Sequence, residues 1–200
     1  MIRLVLAEDQ SLLRSALKTL LSLEKDIDIV ADTGDGREAL ALVKTHKPDV
    51  LLTDIEMPGL TGIELSEAIS KLNIDTKILM VTTFARPGYL QRAMAAGAKG
   101  YFLKDTPGEE LAFAIRKVAD NETCIDTELA VAAWQTQDPL TPREREILRF
   151  VEQGESNKVI AQRLALSPGT VRNYLAEATA KLGVSNRIEA ARRARENGWL

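Results

Sequence analysis

"LLTDIEMPG", residues Leu51 to Gly59, ends an apolar run on a single carboxylate, Asp54, and turns the chain at once through Met57, Pro58 and Gly59. An aspartate beside Pro-Gly is turn chemistry. The same carboxylate would stand at a sheet edge if the run before it is a buried strand. The flanking sequence separates the two readings.

The run leading to Asp54 is "DVLLT" (49–53), and four others resemble it: "IRLVLA" (2–7), "IDIVA" (27–31), "KILMVT" (77–82) and "KGYFL" (99–103). Each is short, rich in Val, Ile and Leu, and lacks polar alternation, as strands buried on both faces do. Helical patterns fill the gaps near 11–22, 35–45, 62–71, 87–96 and 107–119, punctuated by "GDG", "MPG", "RPG" and "AAGAKG". Five strand-helix units predict an α/β fold: a five-stranded parallel sheet, doubly wound like flavodoxin, with helices on both faces.

Such a sheet gathers its functional groups at the carboxyl ends of its strands. Glu8 and Asp9 follow the first run, Asp54 the third, Thr82 ends the fourth, and Lys104 follows the fifth. Taken singly these are a turn former, a helix cap and ordinary strand ends. Together they put three carboxylates, a hydroxyl and an ammonium on one rim. A carboxylate can attack phosphorus to give an acyl phosphate, and attack on an anionic phosphoryl group needs charge neutralisation. A hard dication held by Glu8, Asp9 and Asp54 would supply it, and Mg2+ suits an all-oxygen site. Lys104 would pair with phosphoryl oxygens, and Thr82 would donate a hydrogen bond to one of them.

Composition removes competing chemistries. Cys124 is the only cysteine and His46 the only histidine, which excludes an internal disulfide and the usual Cys/His zinc sites. A nucleophile-histidine system could use only His46, which reads as a solvated loop residue in "KTHKPD". The N-terminal run is too short for a signal peptide, and no run approaches the roughly 20 apolar residues of a membrane span. A cytoplasmic protein without membrane insertion is expected. Charge is uneven: residues 138–200 hold 11 Lys+Arg and 8 Asp+Glu, while residues 1–137 hold 15 and 21. An acidic first part and a basic second part suggest two tasks, the second on nucleic acid.

A linker is expected over 121–139, with a helical middle and Trp134 docking on one domain. Beyond it the sequence predicts four helices, near 142–153, 157–164, 168–182 and 186–196. In "NKVIAQRLALSPGTVRNYLAEATAKLGV" one helix shows Val159, Ile160 and Leu164 as its apolar face. A tight turn leads to Ser167 as N-cap and Pro168 at the first helical position. Val171, Leu175, Ala178 and Leu182 then repeat at helical spacing, leaving Thr170, Arg172, Asn173 and Ala176 on the opposite face. This fits a helix-turn-helix, with Lys158 and Thr170 placed for phosphates and Arg172 and Asn173 suited to base edges. A plain helical bundle with solvated polar faces fits the periodicity equally well.

At these motifs the chain resembles a known family. "AED", "DIEMPG", "VTTF" and "GYFLKD" are similar to the receiver domain of two-component response regulators over residues 1–120. The segment from "LTPREREILRF" to the C-terminus resembles the LuxR-type helix-turn-helix domain of the NarL/FixJ branch over 140–200. "TTFARPGY" and "GTVRNY", with "NRIEA" and "GWL" further on, are similar to its DesR-like members. The resemblance implies that Asp54 accepts a phosphoryl group from a sensor histidine kinase. It implies Mg2+ held by Glu8, Asp9, Asp54 and the backbone carbonyl of Glu56, and a switch pair of Thr82 and Tyr101. Lys158, Thr170, Arg172, Asn173 and Ala176 would contact an operator in double-stranded DNA. Alanine stands at 176 where relatives often have lysine, so the operator sequence does not carry over. The implied output is a homodimer on activation; the leucines of helix one (Leu12, Leu13, Leu17, Leu20 and Leu21) with Phe113 of helix five favour that pair of helices over a surface using helix four. The last helix, with Ile188, Ala191 and Ala194 on one face, matches the family's dimerisation helix. Two alternatives stand beside this: an aspartate-nucleophile, Mg-dependent phosphatase, and a constitutive DNA binder with a vestigial receiver.

Overall fold

The computed structural model describes residues 1–83, 87–127, 129–131 and 138–200. The chain divides into two compact units, the first built from residues 1–85 and 90–132 and the second chiefly from 133–200. Trp134 lies outside the described residues, and the helical middle expected for the linker is described only at residues 127 and 129–131. Among the described residues no helix is long and apolar enough to cross a membrane.

The first unit alternates β1 (Ile2–Ala7), α1 (Ser11–Leu21), β2 (Ile27–Thr33), α2 (Gly36–His46), β3 (Val50–Asp54), α3 (Gly62–Lys71), β4 (Lys77–Thr82), α4 (Pro87–Ala95), β5 (Gly100–Leu103) and α5 (Gly108–Ala119). All pairings are parallel, in the order β2-β1-β3-β4-β5-β6. The sixth strand, β6 (Cys124–Ile125), corrects the expectation of five. It lies in the expected linker and covers the free edge of β5. Cys124 N–H donates to Lys99 O at 2.8 Å and Asp126 N–H to Tyr101 O at 3.1 Å, satisfying groups an edge strand leaves open.

The strands are apolar on both faces because helices cover both. Leu4, Leu6, Leu52, Leu79 and Val81 pack with Leu111 and Ile115 of α5, and Leu17 and Leu20 of α1 lie against them. Alternate residues Val5, Leu51, Met80 and Tyr101 are buried on the other face. The turn after β3 is drawn in tightly. A Cβ at Gly62 would stand 2.2 Å from the Asp54 carbonyl oxygen, and Gly59 has φ +80°, a region that favours glycine. Thr61 and Glu64 then form a reciprocal capping box that starts α3.

The second unit holds α6 (Pro142–Glu152), α7 (Asn157–Arg163), α8 (Pro168–Leu182) and α9 (Arg187–Glu196). Thr141, Ser156, Ser167 and Asn186 cap the four N-termini with their side chains. Ile147, Leu148, Ile160, Val171, Leu175 and Ala178 form its core. Two expectations are corrected here. Val159 is 38% exposed and drops out of the expected apolar face, which keeps Ile160 and half-buried Leu164, with small Ala161 buried beside them as a close helix crossing requires. Ala191 and Ala194 are buried beside Ala190 in the same core, and only Ile188 of the expected dimer face is exposed, at 69%. Small side chains bring α9 close enough that its apolar face serves its own domain.

Candidate functional site

Asp54 is the last residue of β3, opposite Val81 of β4, and is 5% exposed. Its Oδ1 accepts the Ile55 N–H at 2.6 Å and its Oδ2 accepts from Lys104 Nζ at 2.8 Å. Lys104 follows β5 directly, and its backbone N–H donates to Thr82 O at 2.8 Å, which ties it to the end of β4. The same ammonium donates to Glu8 Oε1 at 2.9 Å. It also stands 2.8 Å from Glu8 Oε2, an ion-pair contact without hydrogen-bond alignment. Glu8 is fully buried after β1, and Asp9 beside it is exposed. Carboxylate oxygens of Glu8, Asp9 and Asp54 lie within 4.8 Å of one another.

One ammonium therefore faces two buried carboxylates and a third close by. Burial raises Glu8 above the ordinary carboxylate range, against the lowering effect of the Lys104 hydrogen bond. Burial likewise raises Asp54 despite Lys104, with Asp9 adding to the rise. Lys104 is also raised: burial lowers it most, but its hydrogen bonds to Asp54 and Glu8 outweigh that. Two of the three acids are buried, anions outnumber the one ammonium, the donors are hard oxygens, and Asp9 is exposed. That set fits a hard dication such as magnesium.

Thr82 is buried at the end of β4, and Tyr101 is wholly buried on β5. Strand alternation and the pairings Met80–Tyr101 and Thr82–Leu103 set these two residues on the same face of the sheet. Glu56 lies exposed in the bend two residues past Asp54. The structure thus brings Glu8, Asp9, Asp54 and Lys104 together, with Thr82 at the same rim.

In the second unit, Lys158, Arg172, Asn173 and Ala176 are exposed and Thr170 is half-buried. The Thr170 N–H donates to Ser167 Oγ at 3.0 Å, and the two hydroxyls lie 2.8 Å apart. Arg172, Ala176 and Ala180 line an open groove with Asn157 and Arg187. The turn joining α7 and α8 is closed by Leu166 N–H to Ala161 O at 2.8 Å. Arg143 donates to Leu164 O at 3.0 Å, holding α6 against that turn.

Sequence reasoning missed two residues. Arg14 donates from Nη1 to the Glu8 carbonyl at 2.5 Å. Glu144 is buried and meets Lys181 Nζ at 2.7 and 2.8 Å. These contacts, with a backbone hydrogen bond from Thr141, hold its carboxyl below the usual range although burial, the largest influence, raises it. "TPRE" is a capping-box pattern and could have signalled Glu144. No local pattern signals Arg14.

Two family models match the chain: the response regulator receiver domain over residues 4–116 and bacterial regulatory proteins of the luxR family over 138–194. The transcriptional regulatory protein DesR of Bacillus subtilis is 48% identical over the full length of both chains. The transcriptional regulatory protein UhpA of Escherichia coli is 38% identical, again over 100% of both. Among solved structures, the response regulator ChrA of a heme-sensing two-component system is 35% identical. It aligns with a TM-score of 0.60 over 100% of this chain and 98% of its own. A LuxR-family response regulator from Staphylococcus aureus is 42% identical over 60% of this chain and 99% of its own, with a TM-score of 0.58. A receiver domain followed by a LuxR-type helix-turn-helix domain, each matched in place, makes this chain a response regulator of the NarL/FixJ branch, a family of DNA-binding transcriptional regulators.

Proposed function

We infer that Asp54 takes a phosphoryl group from the phosphohistidine of a sensor kinase and that this charge switches DNA binding on. The observation that carries the reading is the Lys104 ammonium bridging Asp54 and Glu8, with Asp9 in reach. An Asp54 carboxylate oxygen attacks phosphorus as the P–N bond to the kinase histidine breaks, leaving an acyl phosphate. Lys104 and the Thr82 hydroxyl engage the phosphoryl oxygens. Glu8, Asp9, Asp54 and the Glu56 carbonyl would hold Mg2+, which when bound offsets the negative charge gathered there. Self-dephosphorylation by water is slow. The complete set of acids, hydroxyl and ammonium argues against a vestigial receiver, and family membership argues against a dedicated phosphatase.

We take the domains as 1–120 and 140–200, joined by 121–139, with β6 of that joining segment completing the receiver sheet. Phosphorylation adds about −1.5 to −2 charges, which draws Thr82 inward and biases Tyr101 on the same sheet face. The output is a receiver dimer through α1 and α5. Leu12 is 84% and Phe113 54% exposed on those helices, and Lys117 lies 5.4 Å from the Phe113 ring centre. The paired second units place two α8 helices in the major groove of a cytoplasmic operator, on half-sites about 10 base pairs apart. Arg172, Asn173 and Ala176 meet base edges, and Lys158 and Thr170 meet phosphates. The test is selection from a random duplex pool, with and without a beryllofluoride activator. Paired half-sites enriched only with activated protein support the reading. Equal enrichment without activation contradicts it.

A further inference from the structure

Arg14 stands in the first turn of α1, just past the loop that carries Glu8 and Asp9. Besides its 2.5 Å hydrogen bond to the Glu8 carbonyl, its Nε lies 3.3 Å from Asp32 Oδ2 at the end of β2. Lys18, one turn further on, takes the other oxygen of Asp32 at 2.5 Å. The Glu8 N–H donates to Thr33 O at 2.9 Å, so both backbone groups of Glu8 are held, one by β2 and one by Arg14. Gly34 makes the seat for this guanidinium. A Cβ there would stand 2.8 Å from Arg14 Nη1, while Asp9 Cα and the Glu8 carbonyl would be at an ordinary 3.5 Å.

We propose that Arg14 is a positioning residue for the metal: it clamps the Glu8 carbonyl against Asp32 and so sets the Glu8 and Asp9 carboxylates before a dication arrives. The proposal rests on the magnesium reading above, and Arg14 itself touches neither metal nor phosphoryl group. Two effects oppose each other. A guanidinium near a dication repels it, while a fixed loop spares the ordering that binding would otherwise require. The charge of Arg14 is already paired with Asp32, so loss of the clamp outweighs loss of the repulsion. Lysine at this position keeps the charge but, as a single flexible point donor, cannot span the carbonyl and the carboxylate together.

Calorimetric measurement of Mg2+ binding to the full-length unphosphorylated chain tests this, with thermal unfolding to verify the fold. Arg14→Ala is expected to weaken Mg2+ binding on the order of tenfold, and Arg14→Lys to weaken it as well. Gly34→Ala keeps the arginine but fills its seat, and should act in the same direction. In all three, phosphorylation by acetyl phosphate recovers the wild-type maximal rate once Mg2+ is saturating, which a general loss of structure would not allow. If Arg14→Ala fails to fold, Arg14→Lys decides. Binding that is unchanged or tighter in the folded variants overturns the proposal. Wild-type protein that binds no Mg2+ overturns the functional reading beneath it, a separate and recognisable result.

Discussion

Asp54 is costly to the resting fold. Burial raises its pKa in the folded state, so its ionised form destabilises the protein at neutral pH. That penalty fades as pH falls through the raised folded value and is gone below the ordinary aspartate value near about 4. Asp54→Asn removes the penalty. Without divalent cation the variant should melt a few degrees above wild type at pH 7, and the gap should shrink toward pH 5. Scanning calorimetry at the two pH values reads both. A melting temperature at or below wild type would mean that Lys104 fully compensates the buried charge. The company of Asp54 was legible in the sequence because each member stands at or just past the end of an apolar run. Arg14 was not: its partner is a backbone carbonyl six residues back, and nothing in a helical pattern marks one polar residue among several. Nothing in "REREIL" separates Glu144 from the charges around it, and its partner Lys181 lies 37 residues away.

At the scale of elements, strands and helices were readable where caps and glycines punctuate them. Ser167 and Pro168 at the start of α8, and Gly183 in the left-handed region after it, bracket that helix from sequence alone. The sixth strand was not readable, since two residues carry no periodicity. Neither was the inward face of α9, because three alanines read equally well as core or as interface. The turn before α8 holds a testable strain. Ala165 has φ +53°, a conformation that costs a non-glycine residue about 1 kcal/mol. Ala165→Gly should stabilise the protein by about 0.5 kcal/mol, less than the full strain because glycine loses more freedom on folding. Denaturant midpoints would show the gain, and a loss would place the turn's stability elsewhere. On α7 and α8, Lys158→Ala should weaken DNA binding evenly across sequences and reduce the salt slope by about 1. Arg172→Ala should instead relax sequence preference, at about 1–3 kcal/mol for the affected base pair. Equal behaviour of the two variants in salt-titrated binding would refute the division between phosphate and base contacts.

At the scale of the whole molecule, the two units carry different chemistry and need a message between them. In the proposed α1/α5 dimer, the exposed Leu12 and Phe113 would form the surface that reads this message. Phe113→Glu should leave phosphorylation intact and weaken the phosphorylated dimer on the order of thirtyfold or more, as loss of a buried aromatic anchor does. Sedimentation of the phosphorylated variant measures it, and an undiminished dimer would move the interface elsewhere. All of this depends on where the phosphoryl group goes. The most direct measurement is intact and peptide mass spectrometry of the chain after acetyl phosphate and Mg2+, beside Asp54→Asn. One phosphoryl group per chain, labile to hydroxylamine, mapped to Asp54 and missing from the variant, is the expected result. A phosphoryl group on another residue, or equal labelling of Asp54→Asn, would contradict the account.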